Sequence, residues 1–365
     1  MEAPERLHST GQSLWMDHVD REQICNGSLI QYIKEGAITG LSLSPQAICH
    51  SISNSTVYDD GICKKLDNSL YGEALVVDLI LEDIHHAADP LKYVFDRTDG
   101  VDGWATLPIS PLLTSDPGTL LQSVSVLHTR VNRANVLIMV PGLPDMLGPI
   151  EEIVFAGVPI NITFIYSCNQ FLNTAEACLR GIKRRIALGL KPTVPVFISI
   201  PISHLAAALA KEIKQEAATR ASIDIARSIY KTMRMLHTSQ QWERAYNVGA
   251  RPLRLVWVSS DDESAAVSDI SLYNYLAAPF TVVTMSERTM GAFFDHGHPE
   301  ALLPYDGYDY EENVAGHQKA GRNFKHLADS LQEKAAAWQV KTWITLLDTV
   351  ARKSASCTHV EPIDQ

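Results

Sequence analysis

The chain has 365 residues, 46% hydrophobic and 20% charged, a composition that suits one large core or two modest ones and excludes disordered or collagen-like classes. Its formal net charge of −11, with only 31 basic residues, excludes a surface that tracks a phosphate backbone or adheres to anionic lipid, so nucleic acid is not an expected partner.

In chain order, eight short apolar runs read as strands: SLWMD (13–17), AITGLSLSP (37–45), GWATLPISP (103–111), NVLIMVPG (135–142), INITFIYS (160–167), VPVFISIP (194–201), LRLVWVSS (253–260) and FTVVTMS (280–286). Between them lie segments whose apolar residues recur at three and four, such as NQFLNTAEACLRGIKRRIALG, the period of an amphipathic helix. Strand and helix in alternation predict a parallel sheet. Eight units without a Gly-rich dinucleotide turn after the first predict a closed (β/α)8 barrel, in an α/β chain of one domain spanning 1–365. The span 49–95 reads as inserted helix, 298–316 as a long loop over the barrel mouth, and 318–351 as C-terminal helices.

Neither a secretory leader in the first fifteen residues nor an apolar run of about 18 residues is visible, which predicts a cytoplasmic protein with no membrane span. Cys25, Cys49, Cys63, Cys168, Cys178 and Cys357 form no CxxC pair, so reduced thiols are expected, with no structural zinc.

In such barrels the chemistry stands at the C-terminal ends of the strands. SLWMDHVDR, GLSLSPQAI, GVDGWATLPISPLL, NRANVLIMVPG, GVPINITFIYS and APFTVVTMSERT occur in this order, and together they resemble the transaldolase family along most of residues 13–290. The resemblance implies a TIM barrel of transaldolase type. It implies that Asp17 is the acid/base carboxylate, that Asn161 and Thr163 form the NxT element binding substrate oxygens or a catalytic water, and that Thr106 fills a small hydroxyl position on strand three.

Other positions depart from the family pattern. Met139 stands where the family lysine forms a Schiff base with a ketose, Pro108 where a glutamate orients water, and Ser42-Leu43-Ser44-Pro45 where T-T-N-P is expected. Pro201 falls near the family arginine. Ser259, Ser260, Asp261, Asp262 and Glu263 follow strand seven, where a serine and a cation hold the sugar phosphate. Ser42, Ser44, Thr106, Pro108, Met139, Ser167, Trp257 and Ser259 are the expected pocket residues, and Tyr166 joins Asp17, Asn161 and Thr163 as a catalytic candidate. Asp261, Asp262 and Glu263 read as ligands for Mg2+, or else Asp261 or Asp262 as the cap of a helix beginning near Glu263.

Apolar replacements, with Trp15, Trp104, Phe164, Tyr166 and Trp257 on or beside strands, predict a π-lined cavity for a small apolar metabolite, such as an isoprenoid diphosphate. The expected function is a lysine-independent cyclisation, elimination or isomerisation in specialised metabolism. A catalytically silent pseudo-transaldolase, binding or scaffolding, is the alternative, and a residual aldolase ranks last. A homo-oligomer is compatible with the sequence. Among the histidines, His18 beside Asp17 is the first to test.

Overall fold

The computed structural model describes residues 3–113, 116–258, 270–299, 303 and 324–357. Eight parallel strands close into a barrel in chain order: β1 (Gln12–Val19), β2 (Gly40–Leu43), β3 (Trp104–Pro108), β4 (Val136–Pro141), β5 (Ile160–Thr163), β6 (Val196–Ile200), β7 (Arg254–Val258) and β8 (Thr281–Met285). β1 pairs with both β2 and β8, so no strand edge is left open. Each predicted strand is present; β1 extends beyond its apolar run at both ends, and the other seven are shorter than theirs.

The helices are α1 (Ala3–Ser9), α2 (Arg21–Cys25), α3 (Ser28–Lys34), α4 (Pro45–Asn54), α5 (Asp59–Asp67), α6 (Gly72–Arg97), α7 (Pro117–Val131), α8 (Leu147–Ala156), α9 (Cys168–Ala187), α10 (Ile202–Ala210), α11 (Gln215–His237), α12 (Gln240–Asn247), α13 (Ser271–Asn274), α14 (Glu287–His296) and α15 (Phe324–Cys357). The span read as inserted helix is α4, α5 and α6 in succession. Among the described residues the C-terminal helical region is one 34-residue helix packed against α4, α5 and α6. Most of the loop at 298–316 lies outside the described residues.

Period-two alternation sorts the strand residues into two cores. Leu14, Met16, Leu41, Leu43, Ile138, Val140, Ile198, Ile200, Trp257 and Met285 face outward into the core shared with the helices. Trp15, Trp104, Leu137, Phe197, Val256 and Val282 fill the barrel interior. Phe197 meets Trp15 at 5.2 Å and Trp104 at 5.8 Å between ring centroids, separations at which aromatic pairs attract beyond simple burial. Gly40 makes room for this layer, since a Cβ there would lie 2.5 Å from Trp15 Nε1.

Below the aromatic layer, Arg254 plugs the barrel base. Its guanidinium donates to Ser13 Oγ at 2.7 Å and to the Thr281 carbonyl at 3.0 Å, pairs with Asp102 at 3.3 Å, and lies 5.4 Å from the Phe197 ring centroid. A buried cation is tolerated only when paired and hydrogen-bonded in this way.

One cysteine expectation is corrected: Cys63 on α5 and Cys357 at the end of α15 form a disulfide. Their separation of 294 residues carries no spacing signal, and only the packing of α15 on α5 brings them together. Cys25, Cys49, Cys168 and Cys178 are free thiols.

Candidate active site

The site is built from the inward-facing residues one layer above Trp15, Trp104 and Phe197, at the C-terminal strand ends. Asp17 closes the inward row of β1, two residues beyond Trp15 and 6% exposed. Thr284 Oγ1 of β8 donates to its Oδ2 at 3.1 Å, and the backbone N–H of His18 donates to its Oδ1 at 2.8 Å. Both bonds fix the carboxylate plane.

Asn161 of β5 is buried, and its Oδ1 accepts from Ser199 Oγ of β6 at 2.7 Å. That bond orients the amide so that its NH2 is the donor left for a ligand. Thr106 of β3 lies beside Met139 of β4, its hydroxyl 3.6 Å from the thioether sulfur. Sulfur is a weak acceptor, so a substrate oxygen would readily take over this hydroxyl. Ser42, two residues beyond inward-facing Gly40, completes the row on β2. Thr163 donates to the Val140 carbonyl at 3.3 Å, tying the ends of β4 and β5 together.

Several expected site residues lie elsewhere. Trp257 faces the outer core, as do Tyr166 and, partly buried, Phe164. Burial pushes the Tyr166 phenol well above its ordinary range. Ser44 and Ser167 are helix N-caps, accepting from Ala47 N at 3.5 Å and Gln170 N at 3.3 Å. Each turns its oxygen to an otherwise orphaned helix N–H rather than to a pocket. Pro108 ends β3 two residues beyond Thr106 and in register with Met139, and it also borders a cleft of about 270 Å3 between the barrel and α6, α7 and Trp343 of α15. Ser259, Asp261, Asp262 and Glu263 lie outside the described residues. Among the described residues no group of three His, Cys, Asp or Glu is placed to hold a metal ion.

The π-lined cavity is therefore corrected on physical grounds. The inward-facing tryptophans are packed solid as barrel filling, and the others face the helices. The layer above consists mainly of a carboxylate, hydroxyls and an amide, interrupted by the half-buried Met139 on β4 and Val258 on β7. Ser199 and Thr284 are not among the residues named from sequence, although each is a polar residue two positions beyond an inward-facing apolar one, Phe197 in VFISI and Val282 in TVVTM.

The chain matches the family model described as transaldolase/fructose-6-phosphate aldolase over residues 14–350. It belongs to this family. Relatives of the transaldolase-family chain include transaldolase 1 of Streptomyces avermitilis, 27% identical over 95% of this chain and 94% of that protein. The transaldolase of Thermobifida fusca is 26% identical over 97% and 99%, and transaldolase 2 of a Nostoc species is 28% identical over 78% and 80%.

These relatives overturn the expectation of a cyclase, lyase or isomerase for an apolar metabolite, and with it the terpene, specialised-metabolism, magnesium and pseudo-transaldolase readings. The ranking of the three functional readings is reversed: the aldolase placed last is the one the relatives support. The family is one of enzymes. No helix among the described residues is long and apolar enough to cross a membrane.

Proposed function

We propose that this transaldolase-family chain performs aldol-type carbon–carbon chemistry on a polyhydroxylated carbonyl compound of the sugar-phosphate class at the C-terminal mouth of its barrel. The observation that carries this reading is the polar layer of Asp17, Ser42, Thr106, Asn161, Ser199 and Thr284 above the packed aromatic filling. Adjacent donors and acceptors suit a row of hydroxyls, whereas an apolar ligand would strand them unpaired.

Asp17 accepts the proton of the hydroxyl next to the breaking bond and returns it in the reverse sense, held in position by Thr284 and the His18 N–H. The Asn161 amide and the Thr106 hydroxyl donate to substrate oxygens. Beside them β4 presents Met139, and the eight strands contain no lysine. A thioether forms no iminium, so an amine that meets the carbonyl comes from outside the strands.

The test is incubation with fructose 6-phosphate and an aldehyde phosphate acceptor. Transfer of a carbon fragment is expected, with Asp17→Asn lowering kcat by about 10²–10⁴-fold, the range for general acid–base catalysis. Absence of both turnover and calorimetric binding for ketoses and their phosphates would sink the reading. Borohydride added during turnover distinguishes the two ways of activating the carbonyl. An adduct maps the amine involved, and turnover without one assigns polarisation to hydrogen bonds.

A further inference from the structure

We propose that His18 is the proton partner of Asp17, receiving through Nδ1 the proton that Asp17 removes from a substrate hydroxyl and handing it back for the reverse step. The inference rests on the aldol-type reading only for the source of that proton.

Strict alternation along β1 would send residues 17 and 18 to opposite faces of the sheet. Instead, the β1–β2 register shifts between Met16 and Val19, an irregularity of the kind that re-aims side chains beside active sites. His18 adopts φ +57°, a left-handed conformation uncommon outside glycine. This turn directs its N–H onto Asp17 Oδ1 at 2.8 Å and brings its Nδ1 within 3.8 Å of Asp17 Oδ2. Nδ1 is buried and has no hydrogen-bond partner among the described residues, while the side chain as a whole is 27% exposed.

Imidazole suits the role because one ring nitrogen accepts a proton while the other carries one. The proton moves from the substrate hydroxyl to Asp17 Oδ2 and then to Nδ1. The carboxylate is regenerated beside an imidazolium; the electron pair of the broken O–H bond becomes the second bond of the new carbonyl as the carbon–carbon bond breaks, and the pair of that bond passes to the carbon next to the substrate's own carbonyl, forming its enol or enolate. A rotation of the ring shortens the 3.8 Å separation to a hydrogen bond.

The bland competitor is that His18 only holds the backbone turn. Asparagine separates the two roles, because it tolerates positive φ and keeps the backbone N–H but has no imidazole. His18→Asn is expected to lower kcat about 10–100-fold with KM unchanged, and added imidazole should restore activity about tenfold. Unreduced kcat in His18→Asn, or a loss that imidazole does not rescue, overturns the proposal.

A second measurement needs no substrate: the His18 Nδ1 resonance in ¹⁵N NMR should move between wild type and Asp17→Asn, and an unmoved resonance overturns the pairing. If that resonance moves while ketoses neither bind nor react, the pair stands and the aldol-type reading fails.

Discussion

Asp83 and His237 are buried titratable groups that burial moves in opposite directions. Asp83 on α6 lies in a network where Arg21 Nε donates to Oδ1 at 2.6 Å and the Tyr58 hydroxyl donates to Oδ2 at 2.7 Å. Burial pushes its carboxyl from 3.8 up to about 6, although Arg21 and Tyr58 pull the other way. The folded chain thus holds the Asp83 proton more tightly than the unfolded one. This contribution is full below pH 3.8 and is lost as pH rises through about 6. His237 sits at the end of α11 among Trp242, Tyr246 and Phe280. Burial, and then Arg234, push it from 6.5 down to about 4. Its stabilising contribution is present above pH 6.5 and is lost as pH falls through about 4, by at most about 3 kcal/mol. His237→Phe should therefore flatten the acid side of a plot of denaturant midpoint against pH, and Asp83→Asn should remove an opposing slope between about 4 and 6. An unchanged profile in His237→Phe would refute its assignment as a buried neutral imidazole. Neither position announces itself in sequence: Asp83 sits in an ordinary amphipathic helix, and His237 is one of thirteen histidines, distinguished only by what packs around it.

Elements were more legible than their ends. Hydrophobic period and strand–helix alternation determine all eight strands and the closed barrel, because each strand must bury both faces. Ser44 and Ser167, in the turns beyond the strands, read as pocket in the sequence and are N-caps in the structure, because a serine after an apolar run serves a helix N-cap and a ligand site equally well until the backbone is seen. The distinction can be measured. Ser167→Ala removes the oxygen that caps α9 and should cost about 1 kcal/mol of stability with kcat and KM unchanged; a fall in kcat without a fall in melting temperature would return Ser167 to the site. Gln332 of α15 marks the opposite case, an invisible positioning contact. Its amide donates to the carbonyls of Gly142 at 2.9 Å and Phe164 at 3.0 Å, the turns after β4 and β5. Those strands carry Met139 and Asn161, so the terminal helix buttresses the site. Gln332→Ala leaves two carbonyls without this donor, and melting should register a loss of roughly 1–3 kcal/mol.

At the scale of the whole molecule, α15 is fastened at two points: near its start by Gln332 at the barrel mouth, and at its end by the disulfide between Cys357 and Cys63 of α5. Lys353, one turn before the disulfide, pairs with Asp59 at 2.8 Å and donates to the Ser55 carbonyl at 3.1 Å, so the covalent link is reinforced by a local polar clamp. Closing a loop across 294 residues removes unfolded-chain entropy equivalent to roughly 6 kcal/mol as an upper figure. Little of that restraint acts on the folded barrel, whose strands close without it. Reduction with a small dithiol should therefore lower the melting temperature and speed amide exchange in the last turns of α15, with strand protection and turnover retained. Cys63→Ser should reproduce this behaviour in the absence of reductant. Loss of turnover on reduction would show instead that the far end of the helix holds Gln332 in place, coupling the thiol state to the barrel mouth through the length of α15.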